Sequence, residues 1–87
     1  MIRVEFYGVP RARTGVAAAD IEQAETLGDL LRDLSRRFPD LTKDCVVDQR
    51  LSPHCKANLD GSQFVSDPRT SLVGVRSVLI LSADAGG

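Results

Sequence analysis

Only one stretch of this 87-residue chain repeats its apolar residues at helical spacing, and that constrains the fold more than any other feature. Leu27, Leu30, Leu31, Leu34 and Phe38 recur three and four residues apart and draw one stripe along a helix. Thr26 stands where an N-cap belongs, with a side-chain oxygen able to accept from the backbone N–H of Asp29. Asp29 opens the helix and Arg36 and Arg37 close it, the order that the helix dipole favours. Pro39 cannot continue the ladder and ends it. A chain of this length has room for one core, so every other apolar segment must pack on this single helix.

The remaining apolar residues read as strands. Ile2, Val4 and Phe6 alternate with Arg3, Glu5 and Tyr7, the period of a half-buried strand. Gly8-Val9-Pro10 stops it, Arg11 to Gly15 is expected to be a turn or loop, and a weaker, alanine-rich strand follows from Val16 to Glu22. These two strands should form a hairpin. Leu41 to Pro53 reads as irregular, with a helical turn near Leu41 to Cys45. Cys55 to Leu59 is extended, Asn58-Leu59-Asp60-Gly61 supplies turn chemistry, and Gln63-Phe64-Val65 is a short strand. Asp67-Pro68-Arg69-Thr70 is a further turn, beneath which Leu72 should plug the core. Arg76 to Ser82 is apolar on both faces in its middle, as befits a central strand.

Strand, strand, helix, strand, short strand, strand gives an α+β fold, with a mixed sheet of four to five strands on one main helix. The first and last strands should lie side by side and parallel at its centre. That arrangement is the β-grasp, or ubiquitin-like, fold. Residues 1–82 form the expected domain and residues 83–87 a flexible tail that ends in Gly86-Gly87. A residue without Cβ enters narrow channels that exclude others. A terminal carboxyl with a pKa near ~3.5 is ionised at neutral pH and can attack an activated phosphate.

In these elements the chain resembles the small sulfur-carrier family, which includes the small subunit of molybdopterin synthase and the thiamine-biosynthesis sulfur carrier. The resemblance rests on Ile2 to Gly8, on the Thr26-Leu27-Gly28-Asp29-Leu30-Leu31 helix start and on Phe38-Pro39-Asp40-Leu41. It is completed by Ala57-Asn58-Leu59-Asp60-Gly61 and by Leu79 to Gly87. It implies that a ubiquitin-activating-type enzyme, using ATP, joins the Gly87 carboxylate to AMP, and that a persulfide donor then leaves a thiocarboxylate at Gly87. The carrier is not itself an enzyme and binds no cofactor; its partners include an acceptor enzyme such as the large subunit of molybdopterin synthase. Tyr7, Phe64 and Leu81 are expected to make an exposed apolar docking patch, and Ala85 to enter the partner beside Gly86. A ubiquitin-like modifier joined to lysines through Gly87 and a binding module with an inert tail stand as alternatives. The acceptor stays open among molybdopterin, thiamine thiazole, cysteine and a sulfur-containing metabolite.

Composition narrows the partners. A net charge of −1, with Arg11, Arg13, Arg36, Arg37, Arg69 and Arg76 spread among acids, argues against nucleic acid. No apolar run approaches the ~20 residues of a membrane span. Met1-Ile2-Arg3-Val4-Glu5 enters the first strand directly, without a secretory leader, so a cytoplasmic protein is expected. Cys45, His54 and Cys55 fall short of a four-ligand zinc site; the cysteines read as free thiols and all three as structural or incidental residues. Asp40, Asp44 and Asp48 read as a solvated face.

Overall fold

The structure, a computed structural model, describes residues 1–84. Strand β1 (Ile2–Tyr7) leads into helix α1 (Val9–Thr14) and strand β2 (Ala18–Ile21), and helix α2 spans Leu27–Arg37. A 3-10 helix (Pro39–Lys43) and a small hairpin of β3 (Val46–Val47) and β4 (Arg50–Leu51) follow. Strands β5 (Cys55–Leu59), β6 (Gln63–Val65) and β7 (Ser77–Ser82) complete the order. The main sheet runs β2-β1-β7-β5-β6. Strands β1 and β7 pair in parallel at its centre, and the other pairings are antiparallel.

Alternation decides which side chains enter the core. Ile2, Val4 and Phe6 from β1, Val78 and Ile80 from β7, and Cys55, Ala57 and Leu59 from β5 all lie buried against α2. The helix answers with Leu27, Leu30, Leu31 and Leu34, each fully buried. Phe38, at its C-cap, sets its ring edge-on to Phe6 at 5.8 Å. Each such aliphatic side chain contributes roughly 1.5–3 kcal/mol by leaving water.

The first turn of α2 has backbone donors with no partner inside the helix. Thr26 Oγ1 accepts from Asp29 N–H at 3.2 Å, as the cap reading anticipates. Leu27 and Gly28 N–H groups donate to the carbonyls of Thr70 and Pro68. The Asp67–Thr70 turn therefore sits on the helix start, and Leu72, buried as expected, follows directly beneath it.

Two segments depart from the sequence expectation. The stretch expected as a turn or loop from Arg11 to Gly15 belongs to α1, which begins at Val9. Pro10 stops a strand but suits the first turn of a helix, where its missing N–H has no partner to lose. Gly8 turns the chain with φ 70° and Gly15 ends the helix in the left-handed region at φ 76°. The irregular segment 41–53 contains the β3–β4 hairpin. Its two-residue turn holds Asp48 at φ 51° and Gln49 at φ 63°, a geometry usually announced by Asn-Gly or Asp-Gly. With glutamine in the second place that signal is absent.

Candidate functional site

Among the described residues, the face of the main sheet opposite α2 carries no helix, and the register places its residues in rows. Tyr7 of β1 lies opposite Leu81 of β7, which lies opposite Lys56 of β5. In the next row, Glu5 is opposite Leu79, Leu79 opposite Asn58, and Asn58 opposite Phe64 of β6. Since Val78 and Ile80 face the core, Leu79 and Leu81 are the half-buried pair on the open side.

Of the expected patch, Tyr7 and Leu81 are thus direct neighbours. Phe64 shares their face but stands across β5 from β7, with Asn58 and Lys56 between. It is 59% exposed and Tyr7 41%. Lys56 Nζ lies 4.9 Å from the centre of the Phe64 ring, a cation–π contact that holds the ammonium over the aromatic face. Tyr7 donates its phenol proton to Glu5 Oε1 at 2.6 Å, and this hydrogen bond raises the phenol pKa above its ordinary value. Glu5 therefore borders an apolar group of Tyr7, Leu79 and Leu81, and Lys56 and Asn58 separate that group from Phe64.

Three members of this face escape a reading of the sequence for its site residues: Leu79, Lys56 and Asn58. Asn58 belongs to a turn motif by composition, yet it is the fourth residue of β5 and only 7% exposed. Its Oδ1 is buried without a hydrogen-bond partner among the described residues. Such an atom is costly to leave unsatisfied. The alternation of Cys55, Ala57 and Leu59 was the signal that could have put Lys56 and Asn58 on the open face.

The root of the C-terminal segment adjoins this face. Ser82, the last residue of β7, is buried and its Oγ accepts from Val9 N–H at 2.7 Å. Gly8 leaves room for it: a Cβ there would stand 2.3 Å from Ser82 Oγ. Ser82 also lies opposite Cys55, and Ala83 N–H donates to His54 O at 2.8 Å. Ala85, Gly86 and Gly87 lie outside the described residues.

The carboxylates read as a solvated face have separate engagements. Asp44 is bound by Arg13 through Nε at 3.0 Å and Nη2 at 2.6 Å, which holds its carboxyl below the usual range. Asp40 lies 3.5 Å from Lys43. Cys45 and Cys55 are both free and buried, and burial pushes both thiols up. A groove of about 450 Å³, lined by residues that include Asp20, Ile21, Glu22, Arg36 and Arg37, lies at the other end of β1, where Ile2 pairs with Ile21. Its charges are mixed, and Arg37 already donates to Asp20 O at 2.6 Å. Among the described residues, no helix is long and apolar enough to cross a membrane.

Two solved structures share this architecture across almost the whole chain. SAMP1 from Haloferax volcanii superposes with a TM-score of 0.73 at 16% identity, covering 99% of this chain and 98% of that one. The Haloferax volcanii HVO 2177 protein superposes with a TM-score of 0.62 at 19% identity, covering 99% and 85%. The chain folds as a ubiquitin-like β-grasp. At the level of fold, this agrees with the resemblance drawn from the sequence. No family model matches the β-grasp chain, and no curated protein matches it.

Proposed function

We infer that this β-grasp protein is a carrier whose Gly87 carboxylate is activated by a partner and then loaded with sulfur. The observation that carries this reading is the root of the C-terminal segment. Strand β7 is paired on both sides, Ser82 is pinned to Val9, and Ala83 is bonded to His54. In sequence, Gly86-Gly87 follows a few residues beyond this fixed point. A central strand that ends at a fixed point, with Gly86-Gly87 a few residues on in sequence, suits a chain that acts inside another protein's active site.

The chemistry balances simply. The Gly87 carboxylate attacks the α-phosphorus of ATP and pyrophosphate leaves. A carboxylate is a poor electrophile, whereas the acyl-adenylate is a good one. A persulfide sulfur attacks its carbonyl and AMP leaves; a thiol then removes the donor's remaining sulfur group, freeing the thiocarboxylate. The chain serves as co-substrate, in the cytoplasm, with an activating enzyme, a persulfide donor and an acceptor enzyme of the molybdopterin-synthase kind. Tyr7, Leu81 and Phe64 dock those partners, and Ala85 and Gly86 accompany Gly87 into the channel.

Likeness to SAMP1, a ubiquitin-like small archaeal modifier protein, favours a second reading. There the same adenylate passes Gly87 to a lysine of a target protein. Both readings require a free carboxyl on Gly87, which the intact mass of the protein purified from its source checks first. Incubation with the activating enzyme, ATP and a sulfur source should then add about 16 Da, oxygen exchanged for sulfur, at the acyl carbon. Deleting Gly87 should abolish the gain. An unchanged mass, with an enzyme shown to load another carrier, overturns the sulfur reading; isopeptide-linked conjugates in cell extract favour the modifier.

A further inference from the structure

The open face of the sheet carries complementary groups on the two sides of its central strand. In one row β7 has Tyr7 on its left and Lys56 on its right; in the next it has Glu5 and Asn58. A third row runs from Asp20 through Arg3 to Ser77, and Asp60 N–H donates to Ser77 O at 2.9 Å, so Arg3 and Asp60 flank β7 there. Each cation thus stands across β7 from an aromatic ring or a carboxylate. Among the described residues, Arg3, Glu5, Lys56 and Asp60 enter no ion pair. Two contacts bring Glu5 and Lys56 toward one level. The 2.6 Å hydrogen bond from Tyr7 draws the Glu5 carboxylate toward the first row. The Phe64 ring, 4.9 Å away, draws the Lys56 ammonium toward the second.

We propose that this face receives the same face of a second copy of the chain, about a two-fold axis that runs along β7. Such an axis sets β1 of one copy over β5 of the other, and β2 over β6. Leu79 and Leu81 then meet their own counterparts as an apolar seam on the axis. Tyr7 and Glu5 face Lys56 of the second copy, the Asn58 amide comes opposite Glu5, and Arg3 faces Asp60. Phe64, 59% exposed, comes over Ala18, whose small side chain leaves it room. Every contact off the axis occurs twice, and no like charges stand directly opposite. Sheets packed face to face keep their strands within about 30° of each other, so this register survives the twist. With five strands about 4.8 Å apart and six residues along β7, the footprint is roughly 400 Å² per copy. That is at the low end for specific association, so the dimer is reversible, with a Kd of about 0.1–1 mM. Self-association does not depend on the carrier reading; in a carrier it withdraws Tyr7 and Leu81 from a docking partner.

Sedimentation equilibrium of the full chain, taken from about 20 µM to 2 mM at low salt, should show the average mass rising toward twice that of the chain. Amide NMR shifts that move over the same range should cluster on Tyr7, Lys56, Phe64, Leu79 and Leu81. Glu5→Lys and Lys56→Glu each set like charges against each other across the axis and should weaken association by ~5-fold or more. In an equimolar mixture of the two variants, opposite charges face again at both sites. Association should then return to within about 2-fold of the unsubstituted chain, a recovery that arises only between copies. A chain that stays monomeric to about 2 mM leaves the face to a different protein and overturns the proposal. So do shifts that cluster away from β7, folded single variants that associate as before, or a mixture that gains nothing over its components. Should a variant not fold, the concentration series and shift map of the unsubstituted chain still decide.

Discussion

Tyr7 and Leu81 lie directly opposite each other where the parallel strands β1 and β7 end, one strand leading into α1 and the other into the C-terminal segment. In the proposed function, a partner that takes the segment docks on this pair. Leu81→Asp puts a charge at the centre of the open face without touching the core, where Val78 and Ile80 sit. The variant should fold and bind the activating enzyme at least ~10-fold more weakly, as loss of a central apolar anchor does. Binding measured by titration calorimetry and left unchanged would remove this face from the docking surface.

Gly8 and Ser82 fit together at the root of the segment. Gly8→Ala is expected to destabilise the domain by about 2 kcal/mol or more, since it strains a φ of 70° and drives a Cβ into Ser82 Oγ. Adding Ser82→Ala should recover part of the loss by removing the clash while leaving the backbone strain. Urea unfolding of the three proteins measures this, and a double variant no better than Gly8→Ala would show that the contact does not matter.

Thr26→Ala removes the side-chain oxygen that receives Asp29 N–H. A cost of about 1 kcal/mol is expected, with no change in the thermal transition's cooperativity. A loss below roughly 0.3 kcal/mol would mean that the Thr70 and Pro68 carbonyls alone suffice to cap the helix.

Acid should weaken the fold through Asp44. Its carboxyl is held low by the hydrogen bonds from Arg13, so the folded state favours the ionised form. That stabilisation is complete above the unfolded carboxyl pKa of about 3.9 and disappears as pH falls through the lower folded value. Asp60 behaves likewise, since it accepts from Ser77 and Arg76 N–H. Arg13→Ala should move the acid-unfolding midpoint to higher pH by roughly 0.3–0.5 unit, a small effect because solvent screens a half-exposed pair. Circular dichroism across the acid range reads the shift, and an unmoved midpoint contradicts it.

Much of this architecture was legible because periodicity and burial point the same way. The Leu27–Phe38 stripe, the Ile2–Phe6 alternation and the doubly apolar Val78–Leu81 run each name their element, and together they order the sheet's centre. The helix after Gly8 was hidden because Pro10 carries two opposite meanings, a break in a strand and a good second residue in a helix. The β3–β4 hairpin was hidden because left-handed backbone at Asp48 and Gln49 is sustained by its surroundings and not by glycine. The open face was half legible: single aromatic residues stand out in a sequence, whereas a buried Asn58, its Oδ1 without a partner among the described residues, becomes visible only once β5 is placed between its neighbours.

The position of β7 has a mechanical consequence. Force applied beyond Ser82 runs along a strand bonded on both flanks, to β1 and to β5. The cross-strand bonds are then loaded in shear, all together, instead of being unzipped one at a time from an outer edge. An enzyme could tug on this protein's last residues without unravelling it.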